Sequence, residues 1–161
     1  MLITIGAIAI LGGVILNVNR DINNTSSILL HSNIGIEEIS LASSVIEEAQ
    51  GLAFDEVTDT SKVSSPSQLT PASALGQENG DSTDLNDFDD FNGLNNKGLL
   101  QLDTLSTGVY HIFTRVHYVN PSDVMVNATT QTWDKRLDVL VWNSSSPDTV
   151  KMHSVFGYWP F

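Results

Sequence analysis

Acidic side chains are most concentrated between residues 84 and 93. The side chains there that suit a metal ion are Asp84, Asp87, Asp89, Asp90 and Asn92, directly before Gly93. Closely spaced carboxylates repel one another unless water or a cation lies between them, and Ca²⁺ takes about six to eight oxygen ligands from such loops. Ca²⁺ is therefore the one cofactor that the sequence suggests, and we expect no other.

The same loop has an interpretation without metal. Its spacing departs from that of an EF-hand, because the glycine comes one position late and no glutamate stands at the twelfth position. In this alternative the loop is solvated, its Asp side chains cap turns, and Phe88 and Phe91 insert into the folded domain. The spacing favours this second interpretation.

Familiar catalytic motifs are missing from the sequence. No Ser-His-Asp order, phosphate-binding loop or nucleotide motif occurs, and no cysteine is present. His31, His111, His117 and His153 are scattered; His111 and His117 share a strand face but are about 20 Å apart, too far for one metal ion. We therefore expect that the protein is not an enzyme.

Four Asn-x-Ser/Thr sequons are candidate glycosylation sites, at Asn23, Asn24, Asn127 and Asn143. The net charge also limits the partners, because seven basic and nineteen acidic residues give −12. Phosphate contacts require clustered Lys and Arg, so we expect no nucleic-acid partner.

The first sixteen residues, MLITIGAIAILGGVIL, contain no charge, and Thr4 is their one polar side chain. A secretory signal peptide has a basic region before its apolar core, whereas here the first basic residue is Arg20. We therefore expect that a basic leader has been removed and that this segment belongs to the mature protein. A transmembrane helix has about 20 apolar residues, so the segment is short for that role.

Residues 1 to about 53 contain no proline, and apolar residues from position 30 onward recur at helical spacing. The predicted packing seam consists of Leu30, Ile34, Leu41, Val45 and Leu52, with Ile39, Ala42, Ile46 and Ala49 beside it. We predict one helix of about 50 residues, about 75 Å long. The alternative is two helices separated near Asn23-Asn24-Thr25.

Three later segments, 110–119, 136–142 and 149–159, have the alternating pattern of strands. The fold class is therefore α+β, a long N-terminal helix packed on a small antiparallel sheet. We divide the chain into 1–28 (apolar half of the helix), 29–54 (amphipathic half), 55–107 (Ser/Thr/Asp-rich surface loop) and 108–161 (sheet). We expect Trp142 in the sheet core, and Tyr158, Trp159 and Phe161 at an interface.

Three segments in this order resemble type IV pilins of the MSHA and PilV types. They are the helix end Ser40–Glu56 with its Phe-Asp-Glu turn, the acidic element Asp87–Gly93, and the Lys/Arg-led strand Trp133–Trp142. The resemblance implies a structural subunit of an extracellular filament on the cell surface. It further implies that the subunit is inserted in the cytoplasmic membrane before assembly, and that copies of itself and an assembly machinery are its partners.

The assembly residues implied by the resemblance are Met1, Thr4, Ile5, Gly6, Gly12 and Gly13. N-methylation is expected at Met1, and the glycines allow close helix approach. Ile5 departs from the family, whose glutamate at this position is thought to meet the terminal ammonium of a neighbouring subunit. Alternatives are a minor or tip subunit, a pseudopilin of a secretion system, and a membrane-anchored periplasmic binding module.

Overall fold

The computed structural model describes residues 2–77, 85–94, 103–105 and 108–159. One helix, α1, runs from Leu2 to Gln50 without interruption, so the prediction of a single long helix is confirmed and the two-helix alternative is wrong. The polar stretch near Asn24 is helical as well, and three of its hydroxyls donate to the carbonyls four residues earlier, at 2.8 to 3.0 Å. These hydroxyls belong to Thr25, Ser26 and Ser27.

The second half of α1 packs on the sheet, as predicted. Ile34, Ala42, Val45 and Ala49 are buried, and Leu41, Ile46 and Leu52 are partly buried beside them. Two seam positions were predicted wrongly, since Leu30 is 49% exposed and Ile39 is 51% exposed. Packing begins only at Ile34, which leaves Leu30 uncovered, and Ile39 lies on the side of α1 that faces away from the sheet. We call the packed region from Ile34 to Trp159 the head.

Within the described residues, five strands follow α1. They are β1 (Asp103–Leu105), β2 (Gly108–Asn120), β3 (Asp123–Asn127), β4 (Asp134–Asn143) and β5 (Thr149–Gly157). Four of them form an antiparallel sheet in the order β1-β2-β4-β5, and β3 pairs with the end of β2. A long helix packed on an antiparallel sheet confirms the predicted α+β class.

One face of the sheet is turned toward α1 and is buried. On β2, within the predicted strand segment 110–119, it carries Ile112, Thr114, Val116 and Tyr118, preceded by Tyr110. On β4 it carries Leu137, Val139 and Val141, and all three are fully buried. Val150, Met152 and Phe156 of β5 cover the edge of this core. The period-two pattern in the sequence therefore identified the inner face correctly.

Two strands were not predicted. β1 lies inside the segment 55–107 that we expected to be loop, and β3 follows the predicted turn at Asn120. Every residue of β3 is exposed, so no buried face imposes the apolar and polar alternation by which strands are recognised.

The connection from α1 to the sheet folds over the head, as expected. It contains the short helix α2 (Glu56–Thr60) and two 3₁₀ turns, Pro66–Gln68 and Asp89–Phe91. It also contains a turn at Pro71, where the Ala74 N–H donates to the Pro71 carbonyl at 2.8 Å.

Candidate assembly surface and buried lysine centre

The first half of α1 presents large apolar side chains with no protein around them. Each is between 49% and 71% exposed, and together they are Ile5, Ile8, Ile10, Leu11, Val14, Ile15, Leu16, Val18, Ile22, Ile28, Leu29 and Leu30. These side chains are distributed around all sides of the helix, so its apolar surface is not confined to one face. A helix of this kind is stable only where something apolar surrounds it completely. We call residues 5–30 the bare helix.

Three predicted assembly residues are small notches on the bare helix. Gly6, Gly12 and Gly13 have no other atom within 4 Å of the position that a Cβ would take. A neighbouring backbone therefore has open access to them. Ile5, at the position where pilins usually have a glutamate, is 61% exposed. Thr4 is within α1, but its side chain lies outside the described part of the structure, as does all of Met1.

By its length and composition, α1 is able to cross a membrane. Its bare helix begins near the N-terminus of the chain and carries only Arg20 and Asp21 as charges. Both charges fall after the sixteen-residue apolar segment. The arrangement fits a helix whose first turns are in hydrocarbon and whose later turns reach the membrane surface.

Three of the predicted metal ligands are deeply buried rather than solvated. Asp87, Asp89 and Asp90 are at most 1% exposed, which contradicts the solvated-loop interpretation. The rest of that interpretation is confirmed, since Phe88 and Phe91 are fully buried and the Asp side chains do cap turns. Burial of the two rings carries the intervening Asp residues into the core with them.

Backbone N–H groups satisfy part of this buried charge. Asp87 Oδ1 accepts from the N–H groups of Asp89 and Asp90 at 2.8 and 3.1 Å. Asp90 Oδ2 in turn accepts from Asn86 and Asp87 at 2.9 and 3.3 Å. The loop is thus closed on itself by its own carboxylates.

Asn92 completes the loop but uses both ends of its amide elsewhere. Its Nδ2 donates to the Leu75 carbonyl at 2.9 Å, and its Oδ1 accepts from the Val116 N–H at 3.1 Å. Asp84 lies outside the described residues. Among the described residues, no group of three or more acidic or histidine side chains is arranged to hold a metal ion. Ca²⁺ binding that includes Asp84 stays a prediction.

The cation that faces this loop in the structure is an ammonium. Lys135 is fully buried, and its Nζ donates to the Phe54 carbonyl at 2.8 Å, to Asp55 Oδ2 at 2.9 Å and to Asp89 Oδ1. The Phe54 and Tyr118 rings lie 4.6 and 5.3 Å from Nζ. We call Lys135, Asp55 and Asp89 the lysine centre.

Sequence reasoning missed Lys135 and Asp55. A signal was present, because Lys135 is in phase with Leu137 and Val139 on the buried face of β4. A lysine at a buried strand position needs a buried counter-charge. The Asp-rich loop was the nearest candidate to supply it.

Burial shifts two acid groups of the loop, Asp87 and Asp89, toward their neutral forms. Loss of hydration, followed by the neighbouring Asp89 carboxylate, raises the pKa of Asp87 to about 8, although Lys135 opposes this. Burial also raises the pKa of Asp89, and the Lys135 ammonium is the main opposing influence. At neutral pH Asp87 is therefore largely protonated, which reduces the repulsion inside the loop.

The outer face of the sheet carries the histidines of the strands. His111 stacks on Trp142 with ring centroids 5.1 Å apart and contacts the Ser144 hydroxyl at 2.9 Å. His117 is opposite Arg136, and His153 is opposite Asp138. Trp142 was expected in the core, but it is half-buried on this outer face, because it is out of phase with the inward-facing residues of β4.

The C-terminal aromatic residues divide between core and surface. Tyr158 packs on Phe54 and on Trp133, each with centroids 5.6 Å apart, whereas Trp159 is 77% exposed. An open cleft of about 510 Å³ lies beside them, lined by Pro121, Trp133, Asp134, Tyr158 and Trp159. Phe161 lies outside the described residues.

The four sequons differ in accessibility. Asn23 and Asn24 are exposed on α1, and Asn127 is exposed on β3. Asn143 is 1% exposed, and its Oδ1 accepts from the Ser145 N–H at 2.7 Å. A glycosylating enzyme therefore reaches Asn143 only before the head folds, while attachment at the other three remains a prediction.

Comparisons of the chain with protein-family models, with curated proteins and with solved structures found no match.

Proposed function

We propose that this protein is a structural subunit of an extracellular, type IV pilus-like filament. The observation that carries the proposal is the bare helix, which extends about 40 Å, is apolar on all sides up to Leu16 and exposes further large apolar side chains as far as Leu30. A folded head at one end and an uncovered apolar rod at the other are the two parts that such a subunit needs. The resemblance of the helix end, the acidic loop and the central strand to pilins supports the same assignment.

Assembly in this proposal has two stages. In the first, the subunit is held in the cytoplasmic membrane by the bare helix, with the head outside. The assembly machinery then extracts the helix and packs it against the equivalent helices of other copies. Both environments are apolar, so the same residues are covered before and after assembly. Release into water exposes all of them, which makes loss of a subunit from the filament very slow.

Register between the helices depends on shape in this proposal. Ile5 offers no carboxylate to the terminal ammonium of a neighbour, so an ion pair at that position does not set the register. Gly6, Gly12 and Gly13 are notches among large side chains, and a protruding side chain of the next helix fits such a notch. The uneven spacing of bulky side chains and notches then favours one register over its neighbours.

Electron microscopy of material sheared from the surface of cells that express the full chain tests the proposal. We expect continuous helical fibres made of this protein, with α1 in the fibre core and the head outside. A protein that remains in the membrane fraction as isolated subunits, with no fibres in the sheared material, contradicts it. Fibres in which this chain occurs only at the end indicate the tip subunit instead.

A membrane-anchored binding module is the second candidate. The aromatic cleft between Trp133 and Trp159 favours it, because clefts that combine several rings with one carboxylate are typical of ligand sites. In this case the bare helix is only an anchor. The subunit then stays dispersed in the membrane, and no packing between its helices is required.

A further inference from the structure

Lys135 and Asp89 form a pair whose charged groups are in contact and shielded from water. Both side chains are fully buried, and Lys135 Nζ touches Asp89 Oδ1. Asp89 Oδ2 is buried and has no hydrogen-bond partner among the described residues. The pair thus places a primary amine against a carboxyl group that retains one unused oxygen.

Asp55 is the third member of the arrangement and is held firmly in place. Its Oδ2 accepts from Lys135 Nζ at 2.9 Å and from the Thr70 N–H at 3.0 Å, and the Tyr118 hydroxyl lies 3.3 Å away. Its Oδ1 accepts from the Val57 N–H at 3.3 Å. These donors hold the Asp55 carboxylate within hydrogen-bond distance of Nζ, which is the position that a proton carrier needs.

We propose that Lys135 and Asp89 become joined by an intramolecular isopeptide bond between Nζ and Cγ, with Asp55 as the proton carrier. The bond connects β4 to the acidic loop. It gives this cysteine-free chain a covalent link inside the head.

The reaction is a condensation that needs no co-reactant. Proton transfer within the ion pair gives a neutral amine and a neutral carboxylic acid. Nζ attacks Cγ of Asp89, the C–N bond forms, and Asp55 takes a proton from the nitrogen. Asp55 returns that proton to a hydroxyl on Cγ, the C–O bond breaks, and one water molecule leaves.

The surroundings favour the uncharged reactants and the amide product. Burial disfavours charges and raises the pKa of Asp89, so the electrophilic acid form is accessible. The Phe54 and Tyr118 rings cover the ammonium and exclude water, which is the reactant for hydrolysis of the bond. The amide replaces two buried charges by a neutral group, and one N–H remains for Asp55 Oδ2.

Mass spectrometry of the purified full chain under denaturing conditions tests the proposal. The expected mass is lower than that of the same chain without the bond by one water, about 18 Da. Trypsin does not cleave after an acylated lysine, so the digest should contain a branched peptide in which residues 63–97 are joined to residues 116–136. Fragmentation should locate the branch at Asp89 and Lys135.

Two variants provide the controls. Lys135→Arg keeps the positive charge but lacks the amine, so the branched peptide should disappear and free 63–97 should take its place. Lys151→Arg, at an exposed position of β5, should leave the branched peptide unchanged. The wild-type digest decides the question even if Lys135→Arg fails to fold. Free peptides 63–97 and 116–135 with no mass loss overturn the proposal and leave a buried ion pair.

Discussion

A single buried lysine connects three parts of the chain that are far apart in sequence. Lys135 on β4 contacts Phe54 and Asp55, just after the end of α1, and Asp89 in the acidic loop. Taking an ammonium out of water is costly, and only the nearby carboxylates and carbonyl compensate for it. The lysine centre therefore forms only when helix end, loop and strand are all in their native positions.

Removal of the ammonium should destabilise the head strongly. Lys135→Met leaves the Asp55 and Asp89 carboxylates buried without a counter-charge, and we expect a loss of about 3–5 kcal/mol in the free energy of unfolding. Chemical denaturation of the full chain in detergent measures it. The matched control is Lys151→Met at an exposed position, for which we expect a change within about 0.5 kcal/mol. Similar losses in both variants contradict the role of the lysine centre.

Asp87 should make the stability of the head depend on pH. Its pKa is raised to about 8, so between about pH 4 and pH 8 the folded state holds a proton that the unfolded state has lost. The free energy of unfolding therefore falls as the pH rises through this range. Asp87→Asn retains the Oδ1 acceptor and carries no charge at any pH. We expect its melting temperature to be close to that of the wild type near pH 4 and to exceed it by an increasing margin up to pH 9.

The control for this measurement is Asp59→Asn, an exposed carboxylate of α2. Its melting curve should follow the wild type across the same pH range. If Asp87→Asn and wild type lose stability in parallel from pH 5 to pH 9, another group is responsible for the pH dependence.

At the scale of residues, the lysine centre was only partly predictable from the sequence. The acidic loop was identified as a site for a cation, but the ammonium beside it was not recognised. The Lys135 and Asp89 contact spans 46 positions, and the contact with Asp55 spans 80. Periodicity reports only local neighbours, so it could place Lys135 on the inner face but could not identify its partners.

At the scale of elements, α1 is one helix with two environments. Its second half is held by the sheet, and its first half has no cover in the described part of the chain. The sequence predicted this division, because the apolar segment 1–16 is followed by a polar stretch and then, from about residue 30, by a seam with helical spacing. It misplaced Leu30 and Ile39, since the extent of the sheet decides which turns of the helix are covered.

Substitution of the glycine notches distinguishes a helix that packs in a filament from a helix that only anchors the protein. Gly12→Ala together with Gly13→Ala meets no atom within 4 Å in the subunit and improves helix propensity by about 1 kcal/mol at each position. The head and membrane insertion should therefore be unaffected. Helix packing in a filament should be impaired, and we expect at least about a tenfold loss of sheared fibres, equivalent to about 1.4 kcal/mol per subunit contact.

The matched control is Gly35→Ala, on the same helix and equally free of contacts in the subunit, but outside the bare helix. It should leave the fibre yield unchanged. If the double variant also forms fibres at the wild-type level, close approach at the notches is not part of assembly. If the protein is an anchored binding module, neither the wild type nor any of these variants should form fibres.

At the scale of the whole molecule, the head does not depend on the bare helix. Its core begins at Ile34, and no described side chain of residues 5–33 is buried. We expect the chain without residues 1–28 to be monomeric in water. Its melting temperature should lie within about 4 °C of that of the full chain in detergent. Thermal melts followed by circular dichroism, with size measured by light scattering, test this.

An unfolded or aggregated truncated chain would contradict the independence of the head. The same measurement on a chain without residues 1–40 is the informative contrast. That deletion removes Ile34 and Glu38, which are both buried, and Glu38 Oε1 accepts the Asn143 N–H at 3.0 Å. We expect this second truncation to lower the melting temperature well below that of the first.

The position of the lysine centre has a mechanical consequence. Traction on a filament would enter each subunit along α1, and the chain leaves α1 at Gln50, only a few residues before Phe54 and Asp55. Lys135 connects that exit directly to a central strand of the sheet. A force that separates the head from the helix therefore has to break the contacts of the Lys135 ammonium before it can separate β4 from β5. With an amide between Lys135 and Asp89, the acidic loop beneath the exit could not be drawn away from β4 without breaking a covalent bond.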